Sequence, residues 1–439
     1  MSEISEDDHS SFEQYSELKY CETVQDYFAD FIYSDLFEGN DACLEKNVLD
    51  YPTSSNFWLP SNKSDCVEGP LNGITDSQGI PWGSIALGER FAFREYRLSN
   101  YVTTCNSTEW YPSLFPVQST DSLPSELYEF SRFDRRINCF RVHFQLSYNL
   151  AAISKKVLYS VENGISIYDF HSQTHKLLVD LNPFLIQDNY ACCLAASDTL
   201  GACGTLQGGL LFSFNTENGT QEHVSLGETS VNHVSLLCDS SSSRILASTN
   251  DQTIKLFDPC ESLRCIQTLN LPWAVNCANI NPSGKLILAC GDSPYAQLHD
   301  PRSRKRVARL SHMDYSVCCA WHPNGNHFAT SSQDTSTRIW DARKLGNPVQ
   351  VLSSKMSAVH NLQFSGDGRI LAAAEKADFV QLFKTRDYST AQTLDFFGEI
   401  SGISFSPDDD AFYIGIDDPV VGGLLEYRVT LPSIGNLIL

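Results

Sequence analysis

The chain repeats itself, and that constrains its fold more than any other feature. Residues 322–343 read HPNGNHFATSSQDTSTRIWDAR: a turn, a strand, a tight turn at Asp334 and a second strand. Pro, Asn and Gly supply turn dihedrals, while Thr, Ile, Phe and Trp fit a pleated, half-buried surface. The residue that ends the second strand, Asp341, has counterparts at Asp169, Asn215, Asp258, Asp300, Lys384 and Arg428, separated in order by 46, 43, 42, 41, 43 and 44 residues. Turn signals keep the same beat: NPSG from Asn281, HPNG from His322, SGDG from Ser365 and SPDD from Ser406. One such unit cannot bury both of its faces, so the units must stack on one another.

A period of about 40–45 residues with four short strands per unit marks a ring of blades. On these residues the chain resembles the WD-repeat β-propeller family from about residue 137 onward. The expected fold is all-β: a seven-bladed propeller over 126–439, an aromatic and basic segment at 79–125 packed on it, and an acidic extension over 1–78. Two segments stand at the right offset to finish the last blade, ELYEFS at 126–131 and NLIL at 436–439. The N-terminal one is preferred because it ties both ends of the chain together. The first inner strand is expected at 138–144. GIPWGSIALGERFAFREYRLSNY at 79–101, with ELYEFSRF and VHFQL, resembles an uncharacterised group of fungal and plant WD-repeat proteins, which brings no activity with it.

Net charge is −22, and residues 1–80 hold 17 acidic and 3 basic side chains, so −14 sits in less than a fifth of the chain. That polarity and the absence of strand alternation predict a largely disordered arm. Val24, Tyr27, Phe28 and Phe31, spaced i, i+3, i+4 and i+7, predict a short amphipathic helix within it, over 24–37. The acidic balance argues against nucleic acid as the main partner. No apolar run reaches the ~20 residues of a membrane helix.

The 15 cysteines are an odd number, without a CxxC pair that has a matching second half. Cys139, Cys192, Cys193, Cys277, Cys318 and Cys319 fall where inner strands should run, as small apolar residues would. Reduced thiols and a cytoplasmic or nuclear location are expected, with no cofactor and no metal.

His312, Ser332 and Asp334 have the residue types of a catalytic triad. In the resembled family the set His312, Ser332, Asp334 and Trp340 is instead a structural hydrogen-bond tetrad, and no enzyme is expected. The functional reading is a non-enzymatic protein-interaction scaffold. Trp273, Pro294, Tyr295 and Tyr315 gather in loops on one face of the ring and have the composition of a binding hot spot. Residues 328–343, FATSSQDTSTRIWDAR, resemble the box of WD-repeat substrate receptors of cullin-RING ubiquitin ligases, through Asp334, Ile339, Trp340, Asp341 and Arg343. That resemblance implies a free Arg343 guanidinium meeting a ligase adaptor. RSRKRVAR at 302–309 holds five basic residues on a loop and edge strand; such a run reads as a nuclear-import or nucleic-acid contact, as a receiver for the acidic N-terminus, or, the reading preferred, as a solvated edge guard.

Overall fold

The computed structural model describes residues 66–69, 76–80, 82, 90–101, 117, 120–123 and 127–430, the last with gaps at 144, 163, 182–189, 215–220, 239–242, 262 and 420. The expected helix over 24–37 and the rival closing strand at 436–439 lie outside the described residues.

Blade five shows how one repeat folds. Ser316–Trp321, His327–Ser332, Ser336–Asp341 and Gln350–Ser353 form an antiparallel sheet in that order, from the ring centre outward. In the first turn Asn324 Oδ1 accepts the N–H groups of Asn326 and His327, and Gly325 takes φ +70°, a geometry that only Gly adopts without cost. The second turn places Thr335 at φ +61°. The three inner strands are buried almost throughout because both faces of each sheet pack on a neighbouring blade.

Among the described residues the pattern recurs as blades one (150–180), two (191–225), three (231–270) and four (275–311), each a separate four-stranded sheet like blade five. Blades six and seven depart from it. Strand Thr390–Phe405 is the outer strand of blade six and runs on into the inner strand of blade seven, turning at Gly398, φ +116°. Blade seven continues with Ala411–Asp417 and Gly423–Val429. Three strands from the N-terminal side finish the pair: β1 (Cys66–Glu68), β2 (Asp121–Ser122) and β3 (Tyr128–Asp134). β3 pairs antiparallel with Gly423–Val429 and closes the ring, β1 adds to β3, and β2 runs parallel to the start of Thr390–Phe405. The outer edges of both blades are thereby covered.

The first inner strand is not at 138–144. It is Leu150–Ile153, because its turn to the next strand is only Ser154 and Lys155, with Ser154 at φ +46°, where blade five spends residues 322–326. The freed residues fill the ring centre. Asn149 donates its N–H to Ser401 O of blade seven, Asn361 Nδ2 of blade six donates to Ser147 O, and Leu194 N of blade two donates to Tyr148 O. The Tyr148 ring meets His233 of blade three edge-on at 4.5 Å, and its hydroxyl faces Cys277 and Cys318, where burial pushes its pKa well above the usual range. Cys193, Cys277, Cys318 and Cys319 line this centre as buried thiols. Burial raises the pKa of each, that of Cys193 to about 12, so they remain protonated packing groups. Cys139 is buried too, but outside any strand.

Helix α1 (Arg90–Asn100) lies outside the ring. Among the described residues no helix is long and apolar enough to cross a membrane.

Candidate functional site

The turns between second and third strands, and the loops leading into inner strands, share one face of the ring. In blade five that face is tied down by a hydrogen-bond chain. Trp340 Nε1 donates to Thr330 Oγ1 at 2.8 Å, and Thr330 Oγ1 lies 2.8 Å from His312 Nε2. A hydroxyl that accepts from the indole has its own hydrogen left for Nε2, which turns Nδ1–H toward Asp334 Oδ2 at 3.8 Å. Asp334 also accepts the N–H of Met313 and both N–H and O–H of Ser336. Burial opposes its ionisation, but nearby His312 and the hydrogen bonds from Ser336 and Met313 outweigh it and hold the carboxyl below the usual range. Burial keeps His312 neutral. Ser332 is not in the chain: it donates to Asp314 O and accepts the N–H of Asp334. Thr330 occupies the place expected for Ser332. No contact joins Ser332 to His312, so the triad arrangement is not formed.

Blade six solves the same problem differently. Glu375 stands 43 residues after Ser332, and its longer side chain reaches the loop leading into the inner strand of its own blade, accepting the N–H groups of Lys355, Met356 and Ser357 at 2.5–2.9 Å. Burial raises its pKa to about 7 against those bonds. The strand that follows, Ala377–Lys384, carries Asp378 as its second residue, fully buried at φ +70°. From α1, Arg94 Nη1 and Arg97 Nε each reach Asp378 Oδ2 at 2.5 Å, while Arg90 and Arg94 pair with Asp395. The Arg94 guanidinium lies 4.1 Å from the centroid of Phe397, which also meets Trp82 and Phe93. Gln78 completes the clamp: its amide bonds both N–H and C=O of Phe397 and the carbonyl of Val421. The loop face of blades six and seven is therefore covered by the chain's own N-terminal side. The far side of α1 leaves Phe91 70% exposed.

Over blade four, the expected aromatic cluster divides. Trp273 is buried, 8% exposed, among Leu246, Ile254, Leu256, Leu271 and Ile287. Its ring occupies the space a side chain at residue 291 would fill: a Cβ there would stand 2.6 Å from it. Tyr295 is exposed, with the Arg309 guanidinium 3.9 Å from its ring centroid, and Pro294 and Tyr315 are half-buried. Among the described residues no group of three His, Cys, Asp or Glu is placed to hold a metal ion.

The WD domain, G-beta repeat family matches residues 304–341. An uncharacterized protein of Schizosaccharomyces pombe is 30% identical over 167 residues, 35% of this chain and 47% of its own length. The U3 small nucleolar RNA-associated protein 15 homolog of Xenopus tropicalis is 21% identical over 40% of this chain and 35% of its own length. DDB1- and CUL4-associated factor 10 of Homo sapiens is 30% identical over 111 residues, 25% of this chain and 20% of its own length. A chain of the solved structure titled Crystal Structure of Mitotic Checkpoint Complex superposes with a TM-score of 0.57 at 15% identity, covering 74% of this chain and 100% of that one. The fold is that of a WD-repeat β-propeller, and residues 304–341 match the repeat itself. Its matches span less than half the length of these curated relatives.

On this propeller the residues singled out in the sequence fall into three groups. His312, Asp334 and Trp340 meet through Thr330. Tyr295, Pro294 and Tyr315 stay at the loop face, while Trp273 leaves it for the core. Arg343 is exposed but not free: its Nε and Nη2 bond the two carboxylate oxygens of Asp341 at 2.9 and 2.8 Å. The sequence reading missed Thr330, Glu375, Asp378 and exposed Phe91. Arg90, Arg94 and Arg97, at helical spacing in an aromatic segment, were the available signal for the clamp.

Proposed function

We propose that this WD-repeat propeller is a non-enzymatic scaffold that binds a protein partner on the loop face over blades four and five. The observation that carries this reading is the accounting of surfaces. Tyr148 and its neighbours fill the ring centre, and Gln78, Trp82 and helix α1 cover the loop face of blades six and seven. Tyr295 remains exposed beside half-buried Pro294 and Tyr315, on rigid strand ends and already stacked with Arg309. A rigid aromatic anchor loses little entropy on binding. Relatives whose names carry "small nucleolar RNA-associated" and "Ribosome biogenesis protein" support a nuclear setting.

A second reading, substrate receptor of a cullin-RING ubiquitin ligase, is favoured by the likeness to DDB1- and CUL4-associated factor 10 and by the Trp340–Arg343 sequence. The Asp341–Arg343 pair would then meet the adaptor as a unit rather than as a lone cation.

Affinity purification of the full chain with mass spectrometry tests both. The scaffold reading expects a partner whose capture falls when Tyr295 becomes alanine, by at least ~2 kcal/mol, the hot-spot range. Capture unchanged by Tyr295→Ala contradicts the proposed face. Recovery of a cullin adaptor that is lost on Arg343→Ala decides for the second reading.

A further inference from the structure

We propose that the outer edge of blade four is the docking surface for residues 22–38 of this same chain. Among the described residues strand Lys305–Ser311 pairs only with Tyr295–Asp300, as the outer edge of its sheet. Arg304, Lys305, Arg306 and Arg309, with Arg302 just before them, are all exposed. Among the described residues none of these five cations has an ion-pair partner. Guarding an edge against strand addition needs far less. The outer strands Thr174–Asp180, Gln221–Ser225, Arg264–Asn270 and Gln350–Ser353 carry at most one Lys or Arg apiece. The excess is particular to blade four. It is accompanied by exposed apolar surface: Val307 is 51% exposed on the same strand, and Tyr295 is held under Arg309. A ligand matched to this edge is anionic and aromatic together.

Residues 22–38, ETVQDYFADFIYSDLFE, have that composition. They contain Glu22, Asp26, Asp30, Asp35 and Glu38, no Lys or Arg, and the five aromatics Tyr27, Phe28, Phe31, Tyr33 and Phe37. Five carboxylates would meet five cations that have no ion-pair partner among the described residues, in a chain whose net charge is −22. Reach is sufficient. Residues 39–65 separate this segment from Cys66 on blade seven and extend up to about 90 Å at ~3.3 Å per residue. A domain of this size is about 50 Å across, from a radius of gyration of about 20 Å. A tether of that kind holds the segment at an effective concentration in the millimolar range. The surface adjoins the Tyr295 face, so a docked arm and a partner there would compete. The inference itself needs no partner and stands or falls separately.

Zero-length carbodiimide cross-linking of the full chain, read by mass spectrometry, tests it, because Lys305 supplies a reactive amine at the centre of the patch. At low salt Lys305 should link to carboxylates of residues 22–38 at least about ten-fold more than exposed Lys285 and Lys344 do, reflecting the local enrichment. The signal should collapse at ~0.5 M salt, where the screening length falls to a few ångströms. The exposed triple substitution Arg304→Glu, Arg306→Glu, Arg309→Glu should abolish it as well. Equal linking of Lys305, Lys285 and Lys344 overturns the proposal. So do links that join labelled to unlabelled chains in an equal mixture of the two.

Discussion

Alanine at Asp378 is expected to destabilise the protein by ~3–5 kcal/mol, the cost of breaking a buried ion pair by removing one partner. Asp378 is fully buried, and the side chains of Arg94 and Arg97 that pair with it are only 6% and 12% exposed. Removing the carboxylate leaves two guanidiniums buried without their common anion and the N–H of Gly398 without its acceptor at 3.0 Å. The backbone adds to the loss: φ is +70°, where Asp is tolerated better than Ala. Because the pair is buried, the effect should persist at high salt, unlike that of a surface pair. Chemical denaturation of the variant beside the wild type measures it. A change within about 0.5 kcal/mol, the range of ordinary surface substitutions, would mean the clamp is not formed.

Trp273→Ala should cost ~3–5 kcal/mol as well, but through the core. The ring packs between the sheets of blades three and four in one cluster with Leu246, Ile254, Leu256 and Ile287. The alanine variant should show a lowered denaturation midpoint. Its partner capture should be unchanged at temperatures where it stays folded, the reverse of the effect of Tyr295→Ala. Full stability with lost capture would return Trp273 to the binding face.

Much of the ring was legible. The third strands end at Asp169, Phe214, Asp258, Asp300, Asp341, Lys384 and Val429, each within a residue of the periodic positions. A third strand and the turn that ends it are local, so alternation and turn residues locate them. That some segment must close the ring was also readable, because an open ring leaves an edge; the choice of 126–131 over 436–439 rested only on tying the two ends of the chain together. The first inner strand was misplaced because its position depends on turn length, and a two-residue turn leaves no Pro or Gly signal.

Side-chain partnerships were harder to read. Thr330 and Ser332 are two residues apart on one strand and share a face, so sequence alone could not say which hydroxyl meets His312. Asp378 and Arg94 are 284 residues apart, and nothing local announces their pairing. Glu375 ties a loop from the position of Ser332 only because its side chain is longer. Trp273 in a loop reads equally well as anchor or core, and Gly291, whose missing Cβ makes room for the ring, decided the matter.

The central claim is that the N-terminal side of the chain completes and clamps the propeller, leaving the loop face of blades four and five free. Native-state hydrogen exchange on blade seven tests it most directly. β3 shares its ladder with Gly423–Val429, Phe133 facing Leu425 and Phe130 facing Tyr427. Strands of one cooperative unit open together. The account predicts that the ladder amides of Tyr128–Asp134 exchange as slowly as those of Gly423–Val429. Exchange of Tyr128–Asp134 orders of magnitude faster than that of its neighbour would contradict it, since the ring would then close without the N-terminal strand.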